Sequence, residues 1–132
     1  MPRAGGGSKL KDRGGGVEGG EQFRHGVEQF NAEEFFEAHE TWEAIWLQAA
    51  EPDKTFLQGI TQVTAAFHHA AQGNRAGAGS LLQKGLRKLE RFPADYRGVK
   101  LDTLREKLRK WATALGNEKS LPPAEKPRIE WA

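Results

Sequence analysis

The segment "FFEAHETWEAIW", residues 35–46, sets one histidine among four aromatic residues and three glutamates. His39 and Glu43 stand four residues apart within it, in an H-E-x-x-E pattern. An imidazole and a carboxylate one helical turn apart can form a structural hydrogen bond, act as a general base with its orienting group, or supply two ligands to a metal. The chain has no cysteine, so a divalent metal would have nitrogen and oxygen ligands only. Two ligands on one helix need a third from elsewhere. His68 or His69 supplies it, which makes His39, Glu43 and His68 the candidate metal set. The pattern departs from the zinc-protease H-E-x-x-H, because Glu43 replaces the second histidine. It departs from the di-iron Glu-x-x-His as well, because Phe36 stands three residues before His39.

Other routes to chemistry are thinner. Ser8, Ser80 and Ser120 are the only serines, and none lies in a G-x-S-x-G turn. The glycine-rich "GNRAGAG" lacks a Lys-Ser/Thr ending and follows no strand, which argues against a phosphate-binding loop. No catalytic residue is assigned, and no cofactor is predicted.

The elements that position His39 and Glu43 read as helices throughout. Phe23, Val27 and Phe30 mark a short first helix near 21–30. Asn31 is the expected N-cap, with Glu34 its capping-box partner, for a helix over 32–49. Asp53 is expected to cap 54–72, Asn74 to cap 75–91 and Asp102 to cap 103–115, with Pro93 and Gly116 as stops. Apolar stripes support these spans: Phe56, Ile60, Val63 and Phe67; Leu81, Leu82, Leu89 and Phe92; Leu104, Leu108, Trp111 and Leu115. Short connections make sequential helices antiparallel, so the fold class is all-α: a bundle of four main helices plus the short first one. No alternating strand pattern is visible.

At 100° per residue, with Phe35 at zero, Trp46 lies near about 20°, His39 near about 40° and Glu43 near about 80°. His39 thus falls inside the apolar stripe with Glu43 on its edge, while Glu37 and Glu40 point outward. On the helix over 54–72, Gln58, Gln62, His69 and Gln72 share the side opposite Phe56, and His68 lies at the border. Gly59, Ala66 and Ala70 form a small-residue strip that lets another helix approach and leaves room for a homodimer.

The flanks differ from this core. Residues 1–20 hold eight of the sixteen glycines and read as a disordered leader. Residues 117–132 carry three prolines and read as a flexible tail around a domain at 21–116; Ile129 and Trp131 are either a free end or docked in a groove, their own or a neighbour's. Net charge is only +2, yet residues 31–53 hold seven acids and no Lys or Arg, and residues 84–110 hold ten bases against four acids. The basic stretch raises nucleic-acid binding as a candidate, with Arg105, Lys107, Arg109 and Lys110 prominent. No signal peptide or membrane span is recognisable, so no membrane partner is expected and a cytoplasmic location is the default.

The run "EFFEAHETWEAIW" followed by "FLQGITQVTAAFHHAAQGNRAGAGSLLQKGLRKLE" resembles the family known as domain of unknown function 309, small bacterial and archaeal helical proteins. The matching positions are Glu37, His39, Glu40, Glu43 and Trp46, then Gln58, Gly59, Gln62, Ala65, His68, Gly73, Asn74, Gly77 and Ala78. The likeness extends over about residues 22–112. It implies an all-α bundle and brings no activity with it. The function expected is a non-enzymatic binding or scaffolding module, with a buried network of His39, Glu43, Gln58, Gln62, His68 and His69. The alternatives are a metal-dependent hydrolase-like site on His39, Glu43 and His68, and nucleic-acid association through the basic helices.

Overall fold

In the computed structural model, residues 20–117 and 121–132 are described. The glycine-rich leader at 1–19 lies outside the described residues. Five helices are present: α1 (Gly20–Asn31), α2 (Phe35–Trp46), α3 (Asp53–Ala71), α4 (Arg75–Leu89) and α5 (Leu101–Leu115). Between α4 and α5 sits a hairpin of two-residue strands, β1 (Asp95–Tyr96) and β2 (Val99–Lys100), paired antiparallel. The all-α reading stands, with this small hairpin as an addition. No helix among the described residues is long and apolar enough to cross a membrane.

α3 is the central element, packed against α4 on one side and α2 on the other. Its apolar face, Phe56, Ile60, Val63 and Phe67, is wholly buried. α1 packs against α2: Gly26 meets the Trp42 indole so closely that a Cβ there would lie 2.2 Å from Nε1. That indole donates to the Phe23 carbonyl at 3.1 Å and is itself fully buried. α5 closes the far side through Leu104, Leu108, Trp111 and Leu115, with Trp111 edge-on to Phe67. The bundle thus has two layers, a front of α2, α3 and α4 and a back of α1, α5, the hairpin and the C-terminal segment.

The seam between α3 and α4 explains the small-residue strip. A Cβ on Gly85 would lie 2.6 Å from the Gly59 carbonyl, and Gly59 sits against Lys88, Gly85 and Leu89. The face expected to leave room for a homodimer is therefore filled by α4 of the same chain.

Several helix ends differ from the expected ones, each for a local reason. α1 runs through Asn31 and closes at Glu33, whose φ is 64°. The Glu33 amide bonds the Phe30 carbonyl and the Glu34 amide bonds the Gln29 carbonyl, the Schellman pattern. Asn31 is therefore not an N-cap, and α2 starts later, at Phe35, without a side-chain cap. α2 also ends earlier than expected, at Trp46. α3 includes Asp53, and its first turn is served by Glu51, which accepts from the Thr55 amide at 3.0 Å. That bond and the one from the Thr55 hydroxyl hold the Glu51 carboxyl below its usual pKa. Asp102 lies inside α5, one residue past its start. Asn74 caps α4 as expected, accepting from the Gly77 amide at 3.0 Å.

The hairpin turn, Arg97-Gly98, has positive φ at both central residues, 52° and 81°. That is the signature of a tight two-residue β-turn, ordinarily built from Asn-Gly. Arg97 is held in this conformation by its guanidinium, which donates to Asp53 at 3.2 Å and lies over the Phe23 ring at 4.8 Å.

Residues 121–132, expected as a flexible tail, are seated on the domain. The Asn31 side chain pairs with the Ile129 backbone like a strand neighbour, accepting its amide at 2.8 Å and donating to its carbonyl at 3.0 Å. Lys100 donates its amide to the Glu130 carbonyl, Val99 bridges to Trp131, and Ile129 is buried. The segment runs beside β2 of the hairpin through an isolated antiparallel bridge.

Candidate functional site

The residues singled out in the sequence fall on the front layer. On α2, Phe35, Ala38, Trp42 and Ile45 are buried, which turns His39 and Glu43 onto the border facing α3 and leaves Phe36, Glu37, Glu40 and Leu47 exposed. The Phe36 ring stands 5.6 Å from the His68 ring, so the start of α2 lies beside the end of α3. The antiparallel run from that pair sets His39 and Glu43 along the α3 edge that carries Thr61, Thr64 and His68.

His39 and Glu43 are both half-buried, and among the described residues no hydrogen bond or ion pair joins them. Thr61 and Thr64, the buried polar residues of the adjoining α3 edge, bond back to the carbonyls of Leu57 and Ile60. They supply nothing to the histidine. Gln58 is half-exposed with no bonded partner among the described residues, and Gln62 accepts from the Lys88 ammonium at 3.0 Å on the α4 side. His69 faces the helix end, where its Nδ1 accepts from the Asn74 side-chain amide at 3.3 Å. The six polar residues thus share a layer without forming one network. Among the described residues, no group of three or more His, Asp or Glu is placed to hold a metal, and His39, Glu43 and His68 do not form one.

The charge asymmetry sorts into two kinds. Much of the basic stretch serves the fold. Arg105 donates to the carbonyls of Leu89 and Phe92, both at 2.7 Å, closing the end of α4. Arg109 pairs with Glu90 and Lys107 with Glu130. Along α4 and just past its end stand Lys84, Arg87, Lys88 and Arg91, spaced i, i+3, i+4 and i+7, with Lys88 donating to Gln62. Burial first, then the neighbouring Arg91, Arg87 and Lys84, holds the Lys88 ammonium below the usual lysine pKa. The set therefore differs from the one singled out in the sequence, which centred on Arg105, Lys107, Arg109 and Lys110.

A second feature had no signal in the sequence. A cleft of about 630 Å³ lies at the lower end of α2, lined by residues that include Gln22, Gln48, Glu51, Asp53 and Arg97. Asp53 is its structural hub: it accepts from the Tyr96 hydroxyl at 2.5 Å and from Arg97. Burial, with the Asp53 hydrogen bond and charge behind it, pushes the Tyr96 hydroxyl up to about 12. These contacts join residues 43 and 44 positions apart, which only the folded chain brings together.

Fold and face together define a small helical domain with a polar, charge-divided front. Residues 23–81 match the model of the family described as "Domain of unknown function (DUF309)". The matched stretch runs from α1 into α4 and contains every residue of the α2–α3 face discussed above. An "Uncharacterized protein" of Aquifex aeolicus (strain VF5) is 27% identical over 77 residues. That likeness covers 58% of this chain and 23% of the relative, so the chain spans less than a quarter of the length of that protein.

Proposed function

We propose that the protein is a non-enzymatic binding or scaffolding module whose recognition surface is the front layer of α2, α3 and α4. One observation carries this reading. His39, Glu43, Gln58 and His68 are half-exposed on adjoining edges of α2 and α3, and within the described residues none is held by a hydrogen bond or ion pair. A polar network that fixed the fold would be internally bonded, since a buried polar group left alone costs about 1–3 kcal/mol. Half-exposed groups with open valences are instead available to a partner. Phe36 and Leu47, 49% and 64% exposed, add apolar area on the same helix.

The reading separates from a metal-dependent enzyme by metal reconstitution. The full chain is loaded with Zn(II), Mn(II) or Fe(II), desalted and analysed for bound metal. Substoichiometric metal, unchanged by His39→Ala or His68→Ala, is expected. One equivalent that disappears in either variant would overturn the non-enzymatic reading.

A further inference from the structure

The front layer carries opposite charges on its two sides. On α2, Glu40 is exposed and Glu43 half-buried at the border with α3; on α4, Lys84 is exposed and Lys88 bonds Gln62 across the α3–α4 seam; the neutral strip of Gln58, Ala65 and His69 on α3 lies between the two sides. The acidic and basic sides are separated by α3, and among the described residues no ion pair joins them. Among the described residues, Glu40, Glu43 and Lys84 have no ion-pair partner.

We infer that this face is a self-association surface: two copies meet front to front about a two-fold axis parallel to α3, so that the glutamates on α2 of each lie over the lysines on α4 of the other. The inference rests on the reading of the front layer as a recognition surface. An axis along α3 exchanges left for right and sets acid on base twice, by symmetry. An axis across the helices would set acid on acid. The exposed Phe36 and Leu47 then come to lie against the partner's α4 edge, where they add apolar contact. The small and neutral side chains of α3 allow the two central helices to approach. An extended polyanion such as RNA fits less well, because the α2 glutamates on the same face repel it.

Sedimentation velocity on the full chain tests this, at concentrations up to about 100 µM and salt from ~50 to ~500 mM. A dimer that weakens as salt rises is expected. Glu40→Lys/Glu43→Lys on one edge, and Lys84→Glu/Lys88→Glu on the other, each weaken self-association by about tenfold or more. Their equimolar mixture restores a heterodimer, because each reversed edge then meets its complement. Lys84→Glu alone, at an exposed position, guards against misfolding of the double variant and still weakens the dimer severalfold. A chain that stays monomeric throughout, a dimer indifferent to these reversals, or a mixture that fails to associate would overturn the inference. So would a monomer that binds a fluorescent RNA oligomer through Lys84 and Lys88. A monomer without stoichiometric metal overturns the self-association alone and leaves the binding-module reading standing.

Discussion

The back and front layers use the same residue types in different ways. At the back, Arg97 is tied to Asp53, Arg105 to the last carbonyls of α4, Lys107 to Glu130 and Asn31 to the Ile129 backbone. At the front, Glu40, Glu43 and Lys84 have no ion-pair partner among the described residues. Charge on the back layer closes helix ends and seats the C-terminal segment. On the front helices Arg75 and Asp53 serve the fold in the same way, Arg75 through the Ala114 carbonyl and Asp53 through Tyr96 and Arg97, whereas Glu40, Glu43 and Lys84 close no helix end. A basic or acidic stretch therefore says little until each side chain is followed to its acceptor.

The contrast is most sharply tested where the back layer is tightest. Gly26→Ala places a methyl within 2.2–2.7 Å of three indole atoms of fully buried Trp42, and no rotamer change of an alanine relieves it. A loss of about 3 kcal/mol in urea-unfolding stability is expected. Ile129→Ala empties the buried seat of the C-terminal segment and should cost about 2–4 kcal/mol in the same measurement. Asn31→Ala leaves the Ile129 amide and carbonyl without their side-chain partner, for an expected loss of about 1–2 kcal/mol. A neutral outcome for Ile129→Ala would show that the back layer does not depend on this segment.

A smaller effect concerns Tyr96. Its hydroxyl titrates near 10.0 when unfolded and near about 12 in the folded protein, because burial disfavours the phenolate and Asp53, which accepts its hydrogen bond, stands beside it. The unfolded chain therefore loses this proton first, and the stability the group contributes is present below pH 10.0 and falls as pH rises toward about 12. Stability measured against pH should show Tyr96→Phe less stable than the wild type at neutral pH, with the gap narrowing through that window. A gap that is constant across it would contradict the Tyr96–Asp53 bond.

Much of this was legible in the sequence where the physics is local. The stripes Phe23, Val27, Phe30 and Leu104, Leu108, Trp111, Leu115 are buried as their spacing requires. Asn74 caps α4 because its acceptor group lies three residues away. Gly59, Ala66 and Ala70 announced a close helix approach, although not that α4 makes it. Asn31 and Asp53 were misread as caps because their side chains are claimed by residues 98 and 43 positions distant. Local propensity carries no trace of such partners. Arg97-Gly98 hid its hairpin because an arginine at positive φ is held there by a distant carboxylate rather than by its own preference. The orientation of His39, Glu43 and His68 toward one layer was visible from helical spacing. That His39 and Glu43 do not bond each other depends on their half-burial, which spacing alone does not convey.

The claim that the front layer recognises rather than supports is tested most directly by equilibrium urea unfolding of His39→Ala/Glu43→Gln/His68→Ala. The triple variant is expected to remain within about 1 kcal/mol of the wild type, as surface substitutions do. A loss of about 3 kcal/mol or more would show that these side chains hold the bundle together, and would contradict the recognition role.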